Sequence, residues 1–130
     1  MRRLKIAVTM GDPAGIGPEI TAKLFLIPEV YKKASVTVIG DMTTMIDTQR
    51  RVSRRLSIKP VKSFDEKSEK GVINLFDMQL IKYGEVPLGV ETKKGGKAQY
   101  LYVKKAIEAA LKGEVDAIVT APINKHALHM

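Results

Sequence analysis

Apolar and polar positions alternate between two periods along this chain. Lys5-Ile6-Ala7-Val8-Thr9 is a short apolar run that stops at Met10-Gly11-Asp12-Pro13, which reads as a buried strand ended by a turn. The pattern then becomes helical. Pro18 suits a first helical position, Glu19 suits the positive first turn, and Ile20, Leu24 and Ile27 recur on one face until Pro28 interrupts them. Ser35-Val36-Thr37-Val38-Ile39 is a β-branched strand ended by Gly40-Asp41. Met42 to Arg55 is helix-compatible, with Met42, Met45, Ile46 and Val52 apolar, a basic opposite side, and Asp41 or Thr43 available as a cap.

The second half repeats the alternation. Ile58 to Val61 and Gly71 to Leu75 read as short strands around the charged segment Ser63 to Lys70, a solvated loop. Tyr83 to Gly96 holds Gly84, Pro87, Gly89, Gly95 and Gly96 and follows neither period, so it is expected to be an irregular loop. From Lys97 to Lys112 the residues Ala98, Leu101, Tyr102, Ala106, Ala109 and Ala110 keep helical spacing up to Gly113, placed as a C-cap. Val115 to Thr120 is expected to be a second buried strand, broken at Ala121-Pro122. Alternating strands and helices with continuous apolar strands imply an α/β fold, with a largely parallel sheet covered on both faces.

Composition narrows the class. With 130 residues the chain has the size of one domain. Zero cysteines exclude thiolate catalysis, iron–sulfur clusters and Cys-based zinc sites. The longest apolar run, Leu24 to Ile27, is far short of the ~20 residues of a membrane span, and Met1-Arg2-Arg3 is not followed by a signal-peptide core, so a cytoplasmic protein without membrane association is expected. The net charge is +8, yet the basic residues are scattered among acidic ones and Trp is absent, with no nucleic-acid reader motif. No nucleic-acid partner is expected.

In open α/β sheets ligands bind beyond the carboxyl ends of the strands, and two segments fall there. The first is Gly11-Asp12-Pro13-Ala14-Gly15-Ile16-Gly17-Pro18-Glu19, where Gly15 and Gly17 allow unusual backbone conformations and close approach of a ligand. It is not a dinucleotide fingerprint, because the third glycine position holds Ile20, nor a phosphate-binding P-loop, because Gly17 precedes Pro18. A tight turn that packs helix on strand is the competing reading. The second segment is Thr120-Ala121-Pro122-Ile123-Asn124-Lys125-His126, where Lys125 offers a positive charge and Thr120 and Asn124 offer hydrogen bonds. His126 and His129 share a helical spacing but have no third ligand nearby, so no metal is assigned to them; Met42 and Met45 read as core.

These two segments, with Val86-Pro87-Leu88-Gly89 and Gly95-Gly96, closely resemble the start of the 4-hydroxythreonine-4-phosphate dehydrogenases of vitamin B6 biosynthesis, a likeness that runs over the whole chain. The resemblance implies an NAD-dependent oxidation of 4-hydroxythreonine 4-phosphate with decarboxylation, aided by a divalent metal (Zn, Mg or Co). It implies a three-layer αβα fold of the isocitrate/isopropylmalate dehydrogenase type, and a homodimer with the site in a cleft between two domains. Relatives acting on four-carbon sugar-acid 4-phosphates share the same opening motifs and are the alternative. Family members are longer, and their Gly-His-Thr-Glu motif and metal-binding histidines lie beyond the part matched here. Residues 1–130 are thus expected to be the amino-terminal domain, truncated before the second and inactive alone, with metal ligands outside this chain. Asp12, Gly15, Gly17, Thr120, Asn124 and Lys125 are its expected substrate-binding residues. A non-catalytic anion-binding module is the rival from another class.

Overall fold

The computed structural model describes residues 3–130. Five strands, β1 (Leu4–Thr9), β2 (Ala34–Gly40), β3 (Ser57–Val61), β4 (Val72–Asp77) and β5 (Ala117–Thr120), form one sheet in the order β3-β4-β2-β1-β5. Every pairing is parallel. The helices are α1 (Gly17–Leu24), α2 (Pro28–Lys33), α3 (Met42–Val52), α4 (Lys93–Leu111) and α5 (Lys125–Leu128).

Right-handed crossovers fix the layers. The connections from β1 to β2 and from β2 to β3 run toward the same edge, which puts α1, α2 and α3 on one face. The connection from β4 to β5 runs the other way and puts α4 on the opposite face. The result is the parallel sheet covered on both faces that the alternation implies, in the three-layer αβα arrangement that the resemblance implies. Its core joins Val8, Val36, Val38, Ile39, Ile73 and Leu75 from the strands to Phe25 and Met45 on one side and to Tyr102 and Ala106 on the other. Ala98, Tyr102, Ala106 and Ala109 are the buried stripe of α4, at the spacing that a helix requires. Among the described residues no helix is long and apolar enough to cross a membrane.

Four local expectations change. Pro28 does not merely end a helix: α1 stops at Leu24, and Pro28 opens α2 from its first turn, where the missing N–H costs nothing. The face of α1 that packs inward carries Thr21 and Ala22, continued by Phe25, whereas Ile20 and Ile27 point outward. Helix α4 begins at Lys93 because Thr92 caps it, its hydroxyl accepting from the Gly95 N–H at 2.9 Å, so Gly95 and Gly96 are helical rather than part of the preceding loop. Strand β5 is not buried; it is an edge strand with Ala117, Val119 and Thr120 exposed.

Candidate functional site

The carboxyl ends of β1 and β5 are neighbours, with Thr9 opposite Thr120 in register, so the loops that follow them meet. The Asp12 N–H donates to the Pro122 carbonyl at 3.1 Å. Gly11, at φ +77°, could not carry a side chain, because a Cβ would run into that same carbonyl. A Cβ on Gly17 would collide with the Met10 carbonyl. Gly11 therefore serves the close approach of the two loops to each other, and Gly17 the tight return of the first loop over the end of its own strand. The Asp12 side chain turns its own loop, accepting from the Ala14 N–H at 2.9 Å while its carbonyl accepts from Gly15 at 3.0 Å.

Across this junction stands the β5–α5 segment. Asn124 caps α5, its side-chain oxygen accepting from the Ala127 N–H at 3.0 Å, and its backbone is held on both sides by Gln99. Lys125, the first residue of α5, is exposed, as is Thr120 at the end of β5. His126 pairs with Glu91 of the loop before α4. His126, followed by Asn124, holds the Glu91 carboxyl below the usual carboxylate range. All six expected site residues thus stand at one end of the sheet on two touching loops. Asp12 and Asn124 use their side chains to shape the backbone, and Thr120 and Lys125 face outward.

Two groups that pattern reading missed stabilise this end of the sheet. Gln99 lies fully buried on α4 among apolar residues; a lone amide three positions from Tyr102 on an apolar stripe was the available signal. Asp41 occupies the N-cap position of α3 without capping it. Its carboxylate instead accepts from the N–H groups of Leu80 at 2.7 Å and Ile81 at 3.0 Å and from the Tyr102 hydroxyl. Burial pushes the Asp41 carboxyl up from its ordinary 3.8, against the pull of these hydrogen bonds. Burial, followed by the Asp41 charge, raises the Tyr102 hydroxyl in turn. Met42 N–H finds its cap in Asp77 at 3.1 Å, across the gap between β2 and β4. A hollow of about 460 Å³ lies here between Thr43, Asp77, Gln79 and Tyr83, and none of the six expected residues lines it.

Among the described residues no group of three His, Asp or Glu side chains stands close enough to hold a metal ion. The described residues do not fit a metal centre.

The sequence matches the family described as pyridoxal phosphate biosynthetic protein PdxA over residues 32–130. A protein of Symbiobacterium thermophilum that carries the name D-threonate 4-phosphate dehydrogenase is 40% identical over 124 residues, covering 95% of this chain and 37% of that protein. One of the same name from Fusobacterium nucleatum is 39% identical over 127 residues, covering 97% and 38%. The crystal structure of a 4-hydroxythreonine-4-phosphate dehydrogenase from Burkholderia phymatum superposes with a TM-score of 0.92 at 35% identity, covering 99% of this chain and 39% of that one. This chain spans less than two-fifths of the length of these relatives. The family match across α2 to α5 and the superposition of the whole described sheet agree: the chain belongs to the PdxA family.

Proposed function

We propose that residues 1–130 are the amino-terminal α/β domain of a cytoplasmic dehydrogenase that uses NAD and a divalent metal to oxidise a 4-phosphorylated four-carbon hydroxy acid. NAD, when bound, would supply the hydride acceptor for the C3 carbon of the substrate; with the hydroxyl proton released, the β-keto acid so formed would lose carbon dioxide. In this reading the enzyme is a homodimer, and the metal ligands lie on polypeptide beyond these residues. Two substrates share the chemistry and differ at C2, an amine in 4-hydroxythreonine 4-phosphate and a hydroxyl in D-threonate 4-phosphate. The relatives named for D-threonate 4-phosphate, 40% and 39% identical over 95% and 97% of this chain, support D-threonate 4-phosphate for this chain.

The observation that carries the proposal is the hydrogen bond from Asp12 to Pro122, which welds the two motif loops into one wall at the carboxyl end of β1 and β5. On that wall Lys125 supplies the positive charge for a phosphate or carboxylate, Thr120 a hydroxyl to orient it, and Asp12, Gly15, Gly17 and Asn124 the rigid backbone. Hydride transfer needs a closed, water-poor cleft, and one exposed wall does not provide it. This chain alone is expected to give no turnover with NAD, a divalent metal and either substrate.

The test is a titration of the chain with inorganic phosphate and with D-threonate 4-phosphate, followed by amide shifts. Saturable shifts centred on Lys125 and Gly15 that vanish in Lys125→Ala are expected. Shifts that persist in Lys125→Ala, or centre elsewhere, refute the site. Turnover by the isolated chain refutes the division of labour between the domains.

A further inference from the structure

The amino end of the sheet, opposite the motif loops, holds a second set of convergent groups. Because every strand pairing is parallel, the residues that precede the strands share one end: Phe25 to Tyr31 lead toward β2, Arg55 toward β3, and Lys70 and Gly71 into β4. Thr120 closes β5 and Lys125 follows it, so both lie at the other end, roughly 20 Å away along the strands.

Between these segments lies a hollow of about 310 Å³ whose walls differ in kind. Phe25, Leu26, Pro28 and Tyr31 make its apolar side, Arg55 and Lys70 its basic side, and among the described residues no carboxylate lines it. Leu26 is 44% exposed although it directly follows the buried Phe25. Backbone contacts bring the two cations together. Gly71, at φ +71°, lies so close to the Arg55 carbonyl that a Cβ would stand 2.9 Å from it, and the Ser57 N–H donates to the Gly71 carbonyl at 2.8 Å. The Tyr31 carbonyl is held by the Arg3 guanidinium, which donates to it at 2.7 Å. Among the described residues Arg55 and Lys70 form no ion pair, whereas Lys5, Lys23, Lys59 and Lys94 each have a carboxylate. Two cations fixed on one rim without a counter-charge repel each other until an anion lies between them.

We propose that this hollow is a binding site for a small anion built on one flat ring, an aryl or heteroaryl phosphate. Arg55 takes the phosphate oxygens with its forked N–H donors, and Lys70 adds a point charge. Leu26, Pro28 and Tyr31 bury the ring, over the floor made by Phe25. A volume of about 310 Å³ is at the lower end of small-molecule pockets, which limits the occupant to a single ring. A ligand held here does not reach the motif loops, so the site stands or falls independently of the proposed reaction.

The test is a titration of the 130-residue chain with phenyl phosphate, followed by amide shifts, beside inorganic phosphate and phenol as probes of the charge and of the ring alone. Saturable shifts are expected at Leu26, Tyr31, Lys70 and Gly71, with each of the two simpler probes binding at least about tenfold more weakly. Arg55→Gln and Lys70→Gln replace exposed side chains and leave the β2 resonances in place; each is expected to weaken phenyl phosphate about tenfold. Tyr31→Leu keeps an apolar wall and is expected to weaken phenyl phosphate several-fold while leaving inorganic phosphate unchanged. Inorganic phosphate that binds as tightly as phenyl phosphate overturns the proposal. So does phenyl phosphate that shifts none of these amides, or whose affinity survives both glutamine variants or Tyr31→Leu. Lys125→Ala separates the two ends of the sheet: it is expected to leave the Lys70 and Gly71 shifts intact, and their loss in that variant also overturns the proposal. None of these readouts requires catalysis.

Discussion

Gln99 and Asn124, 25 residues apart in the chain, hold each other by two reciprocal hydrogen bonds: the Gln99 amide donates to the Asn124 carbonyl at 2.6 Å, and the Asn124 N–H donates to the Gln99 side-chain oxygen at 2.8 Å. A buried amide on α4 thus does for the β5–α5 loop what a sheet partner does for a strand. Replacing it by an apolar side chain of similar size leaves a backbone donor and acceptor unpaired. Gln99→Leu is expected to cost about 2 kcal/mol in urea unfolding and to speed amide exchange at Asn124 and Ala127 more than in β2.

Gly96 is the second contact between α4 and α5. A Cβ at this position would overlap the Ala127 carbonyl, which is backbone and cannot swing aside. Alanine favours a helix over glycine by about 1 kcal/mol, but overpacking costs about 1–3 kcal/mol. Gly96→Ala is therefore expected to lower stability and to shift the amide resonances of Ala127 and Leu128. A stabilised variant would show that α5 does not sit against α4 in solution.

Asp41 gives a pH signature. Its native carboxyl lies above the ordinary 3.8, chiefly through burial, so the folded state holds this proton more tightly than the unfolded chain. The associated stabilisation is complete below the unfolded value and is lost as pH rises through the native one. Asp41→Asn keeps an acceptor for Leu80 and Ile81 and does not titrate. The stability of the wild type minus that of Asp41→Asn is expected to fall as pH rises from about 4 through the native value. Asp41→Ala, which strands two N–H groups and the Tyr102 hydroxyl, is expected to cost about 2–4 kcal/mol at neutral pH, read from chemical denaturation.

The Glu91 contact has the opposite sign. Its carboxyl is held below the ordinary 4.5 by His126 and then Asn124, so its contribution is present above 4.5 and disappears as pH falls through the lower native value. Both side chains are open to solvent, and salt is expected to weaken the pair. Acid titration followed at the Ala127 amide should show the α5 segment loosening below pH 4.5, and Glu91→Gln should remove that transition.

The strand and helix order was readable in this sequence because it depends on local periods: β-branched runs at β2, helical spacing of Ala98, Tyr102 and Ala106, and glycine and proline at the turns. The two motif loops were legible as candidates for the same reason, since a strand followed by a glycine-rich turn has a known place in a parallel sheet. Misreadings came where one local pattern admits two structures. Proline at 28 reads as the end of a helix but opens α2, and Ile20 of α1, which continues an apolar spacing, lies on the exposed side of that helix.

Which residues meet across the fold was decided only in three dimensions. The partnership of Gln99 with Asn124, of Asp41 with Tyr102 and of Asp12 with Pro122 spans long stretches of chain, and a polar residue's sequence neighbours do not reveal the donor or acceptor that burial will bring to it. Hydrophobic periodicity determines what each segment must hide; only the packed sheet, with β5 at an edge, determines what it hides against.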